Sequence, residues 1–169
     1  MTQRRSALIS GAVVLGLAVL QSVLLDAIAI AAVTPDLVLL ALVFTAGRNG
    51  AMYGQTAGFV AGMAEDFASL APLGFHALLR LVIGFLTGLT RNKVFLDPIF
   101  VPIILVASAT LLKWMVAALI AGVFAVEPAA AALFGRRFFI ELGYNAILAP
   151  PVFAVLGVVL PKTERGSRL

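Results

Sequence analysis

The stretch Gly54-Gln-Thr-Ala-Gly58-Phe-Val-Ala-Gly62-Met-Ala-Glu65-Asp66 carries a glycine at every fourth position and ends in two carboxylates. Because residues four apart lie on one face of a helix, these glycines predict a helix with one stripe free of side chains. In lipid, small residues at this spacing form a common surface for close helix packing. The stretch therefore predicts a helix at the centre of a membrane bundle, packed against a neighbouring helix of the chain or against a partner.

The composition is that of an integral membrane protein. Of the 169 residues 62% are hydrophobic and 12% charged, with a mean hydropathy of +1.11, whereas soluble domains have about 25% charged residues. The length accommodates roughly six spans of about 20 residues, so we expect one all-α polytopic domain over residues 1–169 and no soluble catalytic domain. Cysteine is absent, which excludes disulfides, thiolate metal sites and cysteine nucleophiles.

Six membrane spans are predicted from the apolar segments. They cover residues 7–32, 34–47, 51–68, 74–90, 98–126 and 137–160. The first follows Arg4 and Arg5 as a signal peptide would, but its apolar run is longer than a signal core, so we expect it to be retained. The second is short, since the apolar run from Leu37 to Ala46 reaches only about 15 Å, about half a bilayer. Such a helix is expected to be tilted or shielded by its neighbours.

Prolines mark two predicted helix starts and one predicted irregularity. Thr34 is the expected N-cap of the second span, with Pro35 in its first turn, and Pro98 begins the fifth span in the same way. Pro150 and Pro151 lie inside the sixth span, where each removes a backbone hydrogen bond. A kink or a break is therefore predicted there.

A second glycine pair predicts how the third and fourth spans meet. Gly84 and Gly88 lie four residues apart in the fourth span. Glycine stripes on consecutive antiparallel spans predict a tight hairpin. The predicted packing positions are Gly54, Gly58, Gly62, Gly84 and Gly88.

Basic residues predict the orientation in the membrane. With the N-terminus inside, eight of them are cytoplasmic and only Arg136 and Arg137 lie outside. The cytoplasmic set is Arg4, Arg5, Arg48, Arg91, Lys93, Lys162, Arg165 and Arg168. We therefore expect a multipass protein of a cytoplasmic membrane with both termini in the cytoplasm, whose basic residues serve orientation rather than nucleic-acid binding.

Two basic residues fall inside apolar sequence and require partners. A charge at the centre of a membrane helix costs about 2.5–3.5 kcal/mol on insertion scales. Arg80 is predicted to pair with Asp66 or Asp36, and Lys113 to reach the membrane surface or to meet Glu141. The alternative for Arg80 is a ligand or proton site.

The remaining polar groups do not form a predicted catalytic site. Asn145 is expected to form a hydrogen bond between helices. The carboxylates are predicted to lie towards one membrane face. His76 is the one histidine, and the presence of Ser69 or Ser108 near it is no more than chance would give. A proton path or a hydrolase site requires several such groups together. We therefore expect no enzyme activity, no cofactor and no metal.

Five motifs in order resemble the MreD family of bacterial rod shape-determining membrane proteins. The motifs are Pro35-Asp36-Leu37, Gly54-xxx-Gly58-Phe59-xx-Gly62-xxx-Asp66, Pro72-Leu73-Gly74, Gly84-xxx-Gly88 and Tyr144-Asn145-Ala-Ile-Leu-Ala-Pro150. The resemblance implies a partner of MreC in the machinery that builds lateral peptidoglycan, alongside a RodA-type glycosyltransferase and a class B penicillin-binding protein. It also implies a fold similar to the substrate-binding subunits of energy-coupling-factor transporters. The pattern positions are Pro35, Asp36, Gly58, Gly62, Asp66, Gly74 and Asn145, whereas Arg80 has no mapped position.

Two functions are compatible with this reading. The first is a non-enzymatic scaffold that binds MreC within the lipid bilayer, and the second is a vitamin- or metal-binding subunit of an energy-coupling-factor transporter. A binder requires a roomy cavity with convergent polar groups, whereas a scaffold can be packed solid by its glycines. Few polar and aromatic residues are predicted near the outer ends, which favours the scaffold.

Overall fold

The computed structural model describes residues 3–24, 33–69, 72–91, 99–123 and 135–160. Within these ranges the chain is all-helical and has no β-strand, as the composition predicted. The six helices are α1 (Gln3–Leu24), α2 (Leu37–Asn49), α3 (Ala51–Ala68), α4 (Phe75–Gly88), α5 (Phe100–Val123) and α6 (Arg136–Val159). Each helix overlaps one predicted span. Residues 25–32, 98 and 124–126 of those spans lie outside the described ranges.

Length and apolarity single out two segments of the described chain as able to cross a membrane. They are Phe100–Ile120 in α5 and Arg136–Val159 in α6. Shorter apolar segments occur at Leu8–Leu17, Leu37–Asn49 and Phe75–Gly88.

The helix at the centre of the bundle is α2. Every residue from Val38 to Gly47 is buried, and α2 contacts the other five described helices. A helix that is apolar all round can be buried on all sides, so its shielding by neighbours follows from its composition. The expectation that the glycine-striped α3 sits at the centre is wrong. Phe67 of α3 is 75% exposed, because a glycine stripe buries one face of a helix and not its circumference.

The hairpin of α3 and α4 forms the most extensive helix contact among the described elements. A Cβ atom added at Gly54 would collide with the backbone of Gly84, and one at Gly58 would collide with the carbonyl of Arg80. Added at Gly62, it would collide with the backbone of His76. We call this contact of the two backbones the glycine seam; Gly84 and Gly88 contribute to it from α4. The seam fixes the register of α4 along α3.

Two glycines turn the chain at the ends of α3. Gly50, between α2 and α3, has φ 97°, and Gly74, before α4, has φ 94°. Residues with a Cβ rarely adopt this left-handed region. These turns allow α2, α3 and α4 to follow one another with little intervening chain.

One expectation about prolines requires correction, and a second is narrowed. The N-cap of α2 is Asp36 rather than Thr34, since the Leu39 amide donates to Oδ1 of Asp36 at 2.8 Å. Pro35 therefore precedes the helix instead of lying in its first turn. In α6, Pro150 and Pro151 lie inside a helix that continues to Val159. Of the two predicted outcomes, a break is therefore absent from this described segment, and a kink stays a prediction.

Candidate functional site

Arg80 lies at the start of a buried charge network. Its position is set by the glycine seam, where its own carbonyl faces Gly58. The guanidinium donates from Nε to Oε2 of Glu65 at 2.9 Å and from Nη2 to Oε1 of Glu65 at 2.6 Å. Nη2 also donates to Oδ1 of Asp36 at 2.9 Å. Arg80 therefore joins α4 to the end of α3 and to the start of α2.

Lys113 extends the network to the last two helices. Its Nζ donates to Oδ2 of Asp36 at 2.7 Å and to Oε1 of Glu141 at 2.6 Å. Trp114 donates from Nε1 to Oε2 of the same glutamate at 3.0 Å. Two outcomes were expected for Lys113, and the contact with Glu141 is the one that the structure shows. Asp36 is a second partner that was not expected.

Asp36 is the group on which the network converges. Its side chain is 3% exposed and accepts from Arg80, from Lys113 and from the Leu39 amide. Its own backbone N–H donates to Oδ1 of Asn145 at 2.9 Å. A buried carboxylate is stable only when its charge and its lone pairs are matched. Asp36 thus caps α2 and is the carboxylate that Arg80 and Lys113 share.

Asn145 completes the contacts between helices around Asp36. It is fully buried, and its Nδ2 donates to Oγ1 of Thr110 at 3.1 Å. With its acceptor contact to Asp36, it connects α6 to α5 and to the start of α2. Gln21 of α1 supplies a further link, because its Oε1 accepts from the Val38 amide at 3.0 Å.

Asp66, the other candidate partner of Arg80, has a different role. Its carboxylate accepts from the amides of Gly74 and His76 at 2.9 Å and from the amide of Ala77 at 3.2 Å. Nδ1 of His76 lies 2.9 Å from Oδ1 of Asp66. These are the amides that the start of α4 leaves without intrahelical partners. Of the two partners predicted for Arg80, the structure therefore has Asp36 and not Asp66, whose carboxylate is occupied as the cap of α4.

A cavity of about 530 Å³ lies beside the charge network. Its charged lining groups are Asp36, Glu65, Arg80, Lys113 and Glu141. Its other lining residues are Gln21, Thr34, Ala68, Ser69, Phe75, His76, Leu79, Trp114 and Ala117. We call it the charged cavity; it lies at the end of the bundle where α3 ends and α4 begins.

The charged cavity gathers polar and aromatic groups at the end of the bundle that the predicted orientation places outside, where few were expected. Those groups are distant in sequence, and the folding of five helices brings them together. Sequence reasoning also assigned no role to Glu65 or Trp114. A signal for Glu65 was present, because Glu65 and Asp66 follow Gly62 by three and four residues and so flank the glycine stripe. Two acids at that place predict two different partners on the facing helix.

The cavity's chemistry is that of ion pairing and hydrogen bonding. In the described chain, no group of three or more histidine, aspartate and glutamate side chains is arranged to hold a metal ion. All three network carboxylates instead accept from arginine, lysine, tryptophan or backbone donors. The arrangement is suited to holding helices in register and to receiving a charged or polar group.

Comparison with known proteins gives one result. No curated protein and no solved structure matches the chain. The family model described as rod shape-determining protein MreD matches residues 3–159, which include the glycine seam and all five charged residues of the network. The chain therefore belongs to the MreD family, a family of membrane proteins that act in rod shape determination.

Proposed function

We propose that this protein is a non-enzymatic scaffold of the bacterial cell-elongation complex. It binds MreC and supports lateral peptidoglycan synthesis, together with a RodA-type glycosyltransferase and a class B penicillin-binding protein. The observation that carries the proposal is the family match over residues 3–159. The energy-coupling-factor alternative has no support from that match.

The protein lies in the cytoplasmic membrane as a six-span unit with both termini in the cytoplasm. The distribution of basic residues supports this orientation. It places the charged cavity at the outer end, because Arg48 and Arg91 lie at the opposite ends of α2 and α4. Six crossings with a fold like that of the energy-coupling-factor subunits follow from the resemblance.

The described surface supports binding of other membrane helices. Large apolar side chains of α5 and α6 point outwards, among them Leu119 at 70% and Ile147 at 76% exposure. Such faces contact lipid chains or a partner's transmembrane helix. The seam between α3 and α4 is closed by backbone contact, so these two helices offer no glycine stripe to a partner.

Recovery of MreC from native membranes tests the proposal. The tagged chain is solubilised in mild detergent, and proteins retained with it are identified by mass spectrometry. We expect MreC in amounts comparable to the bait, and depletion of the chain should make rod-shaped cells round. Recovery of paired ATPases without MreC would contradict the proposal.

Reporter fusions test the topology in the same strain. A cytoplasmic reporter fused after Leu169 should be active, and a periplasmic one inactive. The reverse result would contradict a six-span arrangement with an N-terminus inside.

A further inference from the structure

We infer that the charged cavity receives a basic side chain, lysine or arginine, from the partner protein. This inference rests on the proposed function and adds to it the place of contact and the chemistry of recognition. It is carried by three properties of the cavity: its charge, its size and its unmatched donor.

The charges that line the cavity do not balance. Asp36, Glu65 and Glu141 supply three carboxylates, whereas Arg80 and Lys113 supply two cations. One negative charge is therefore in excess among three carboxylate side chains that are only 3%, 13% and 8% exposed, for Asp36, Glu65 and Glu141 respectively. Such a charge is costly to bury without a counter-charge. A cationic group that enters from outside supplies the missing counter-charge.

The accessible part of the network is where a cation would arrive. Among the three carboxylates of the network, the Glu65 side chain is the most exposed, at 13% against 3% for Asp36 and 8% for Glu141. Both oxygens of Glu65 accept from Arg80, but a carboxylate has about four lone-pair sites. Glu65 therefore retains acceptor capacity for a second donor and is the expected contact of the incoming group.

The size of the cavity exceeds what one ammonium group requires. A volume of about 530 Å³ lies within the roughly 300–1,000 Å³ of ligand sites. Phe75, Leu79 and Trp114 provide apolar and aromatic wall, against which the aliphatic stem of a lysine or arginine packs. A side chain together with part of its own backbone matches these dimensions.

An unmatched donor favours a peptide over a free amine. Nη1 of Arg80 is buried and has no hydrogen-bond partner among the described residues. A free ammonium ion brings donors only, whereas a peptide also brings carbonyl acceptors. Nη1 is closed to solvent in this structure, so the inference requires the cavity wall to adjust on docking before a carbonyl can reach it.

Photo-crosslinking in intact membranes tests the inference. A photo-reactive amino acid replaces Ser69 or Ala117, both of which line the cavity. Matched controls carry it at Met52, which is 73% exposed at the other end of α3, or at Val158, which is 88% exposed. The full-length chain is co-expressed with MreC, illuminated and digested, and the adducts are mapped by mass spectrometry.

The expected result is an MreC adduct from Ser69 and Ala117 at about tenfold the control yield, mapped to a peptide that contains lysine or arginine. Replacing that basic residue of MreC by glutamine should lower the adduct by about tenfold, as loss of a desolvated charge pair does.

Four outcomes overturn the inference, and three of them leave the proposed function standing. If MreC is retained but crosslinks no better from the cavity than from the control positions, only the inference fails. It also fails alone if the adduct is with lipid, or if the mapped peptide has no basic residue. If MreC is not retained by the unmodified chain, the proposed function fails and the inference fails with it.

Discussion

The glycine seam and the charged cavity both involve α3 and α4 but depend on different physics. In the seam, backbone meets backbone at Gly54, Gly58 and Gly62, with no room for a side chain. In the cavity, long charged side chains meet around about 530 Å³ of open space. Arg80 belongs to both, because its carbonyl faces Gly58 and its guanidinium binds Glu65. The comparison indicates that the seam sets the register on which the network depends.

The largest effect is expected from filling the seam. Gly58→Leu forces a side chain against the Arg80 carbonyl, where only separation of the helices relieves the clash. Overpacking a core costs about 1–3 kcal/mol and occasionally more. Because the new side chain would meet backbone atoms, which cannot rotate away, we expect a cost at the high end of this range. We expect little or no folded protein in size-exclusion chromatography. Val60→Leu, on the exposed side of α3, is the matched control, and equal yields of the two variants would contradict the seam.

The next largest effect is expected at the centre of the network. Asp36→Ala leaves Arg80 and Lys113 without their shared carboxylate and removes the cap of α2. Breaking a buried ion pair costs about 3–5 kcal/mol. The loss is measurable as the free energy of unfolding in mixed micelles, followed by fluorescence of Trp114, the one tryptophan. Asp36→Asn keeps a capping oxygen and should lose less; a neutral effect of Asp36→Ala would refute the network.

A double-mutant cycle distinguishes the two acids at the end of α3. Arg80→Ala and Glu65→Ala should show a coupling free energy of about 1–3 kcal/mol, as expected for groups in direct contact. The cycle of Arg80→Ala with Asp66→Ala should be additive within about 0.5 kcal/mol. Strong coupling of Arg80 to Asp66 would contradict the structure, in which Arg80 pairs with Glu65 and Asp36.

A smaller effect is expected from removing the cap of α4. Asp66→Ala leaves the amides of Gly74, His76 and Ala77 without their acceptor. Loss of a helix cap typically costs about 1 kcal/mol, up to about 2 kcal/mol. Hydrogen exchange of the first turn of α4 should accelerate while exchange in α2 is unchanged. Equal acceleration in both helices would contradict a local role.

The seam was predictable from sequence because it depends on spacing within each of two consecutive helices. The fourfold repeat of Gly54, Gly58 and Gly62, with Gly84 and Gly88 in the next span, is readable without knowing any other contact. Which helix lies at the centre of the bundle was not predictable from the glycine stripe of α3. The same residues that permit one close approach leave the rest of α3 exposed, and the all-round apolar α2 occupies the centre instead.

The charged cavity was only partly predictable. The cost of a buried charge identified Arg80 and Lys113 and restricted their partners to acids at similar depth. The choice among Asp36, Glu65 and Asp66 depends on the rotation of each helix by less than one turn, which sequence does not specify. The cavity itself also depends on how α5 and α6 meet the start of α2, because Lys113 of α5 donates to both Asp36 and Glu141.

Retention of MreC by two neighbouring acid variants tests whether the charged cavity binds the partner. Glu65→Gln removes a charge that lines the cavity. Asp66→Asn removes a charge at the same end of α3, but Asp66 caps α4 and does not line the cavity. The measurement is the amount of MreC retained per mole of folded chain. The account predicts about a tenfold loss for Glu65→Gln, as for a desolvated charge pair, and retention near that of the natural chain for Asp66→Asn. Equal retention by both variants would contradict it.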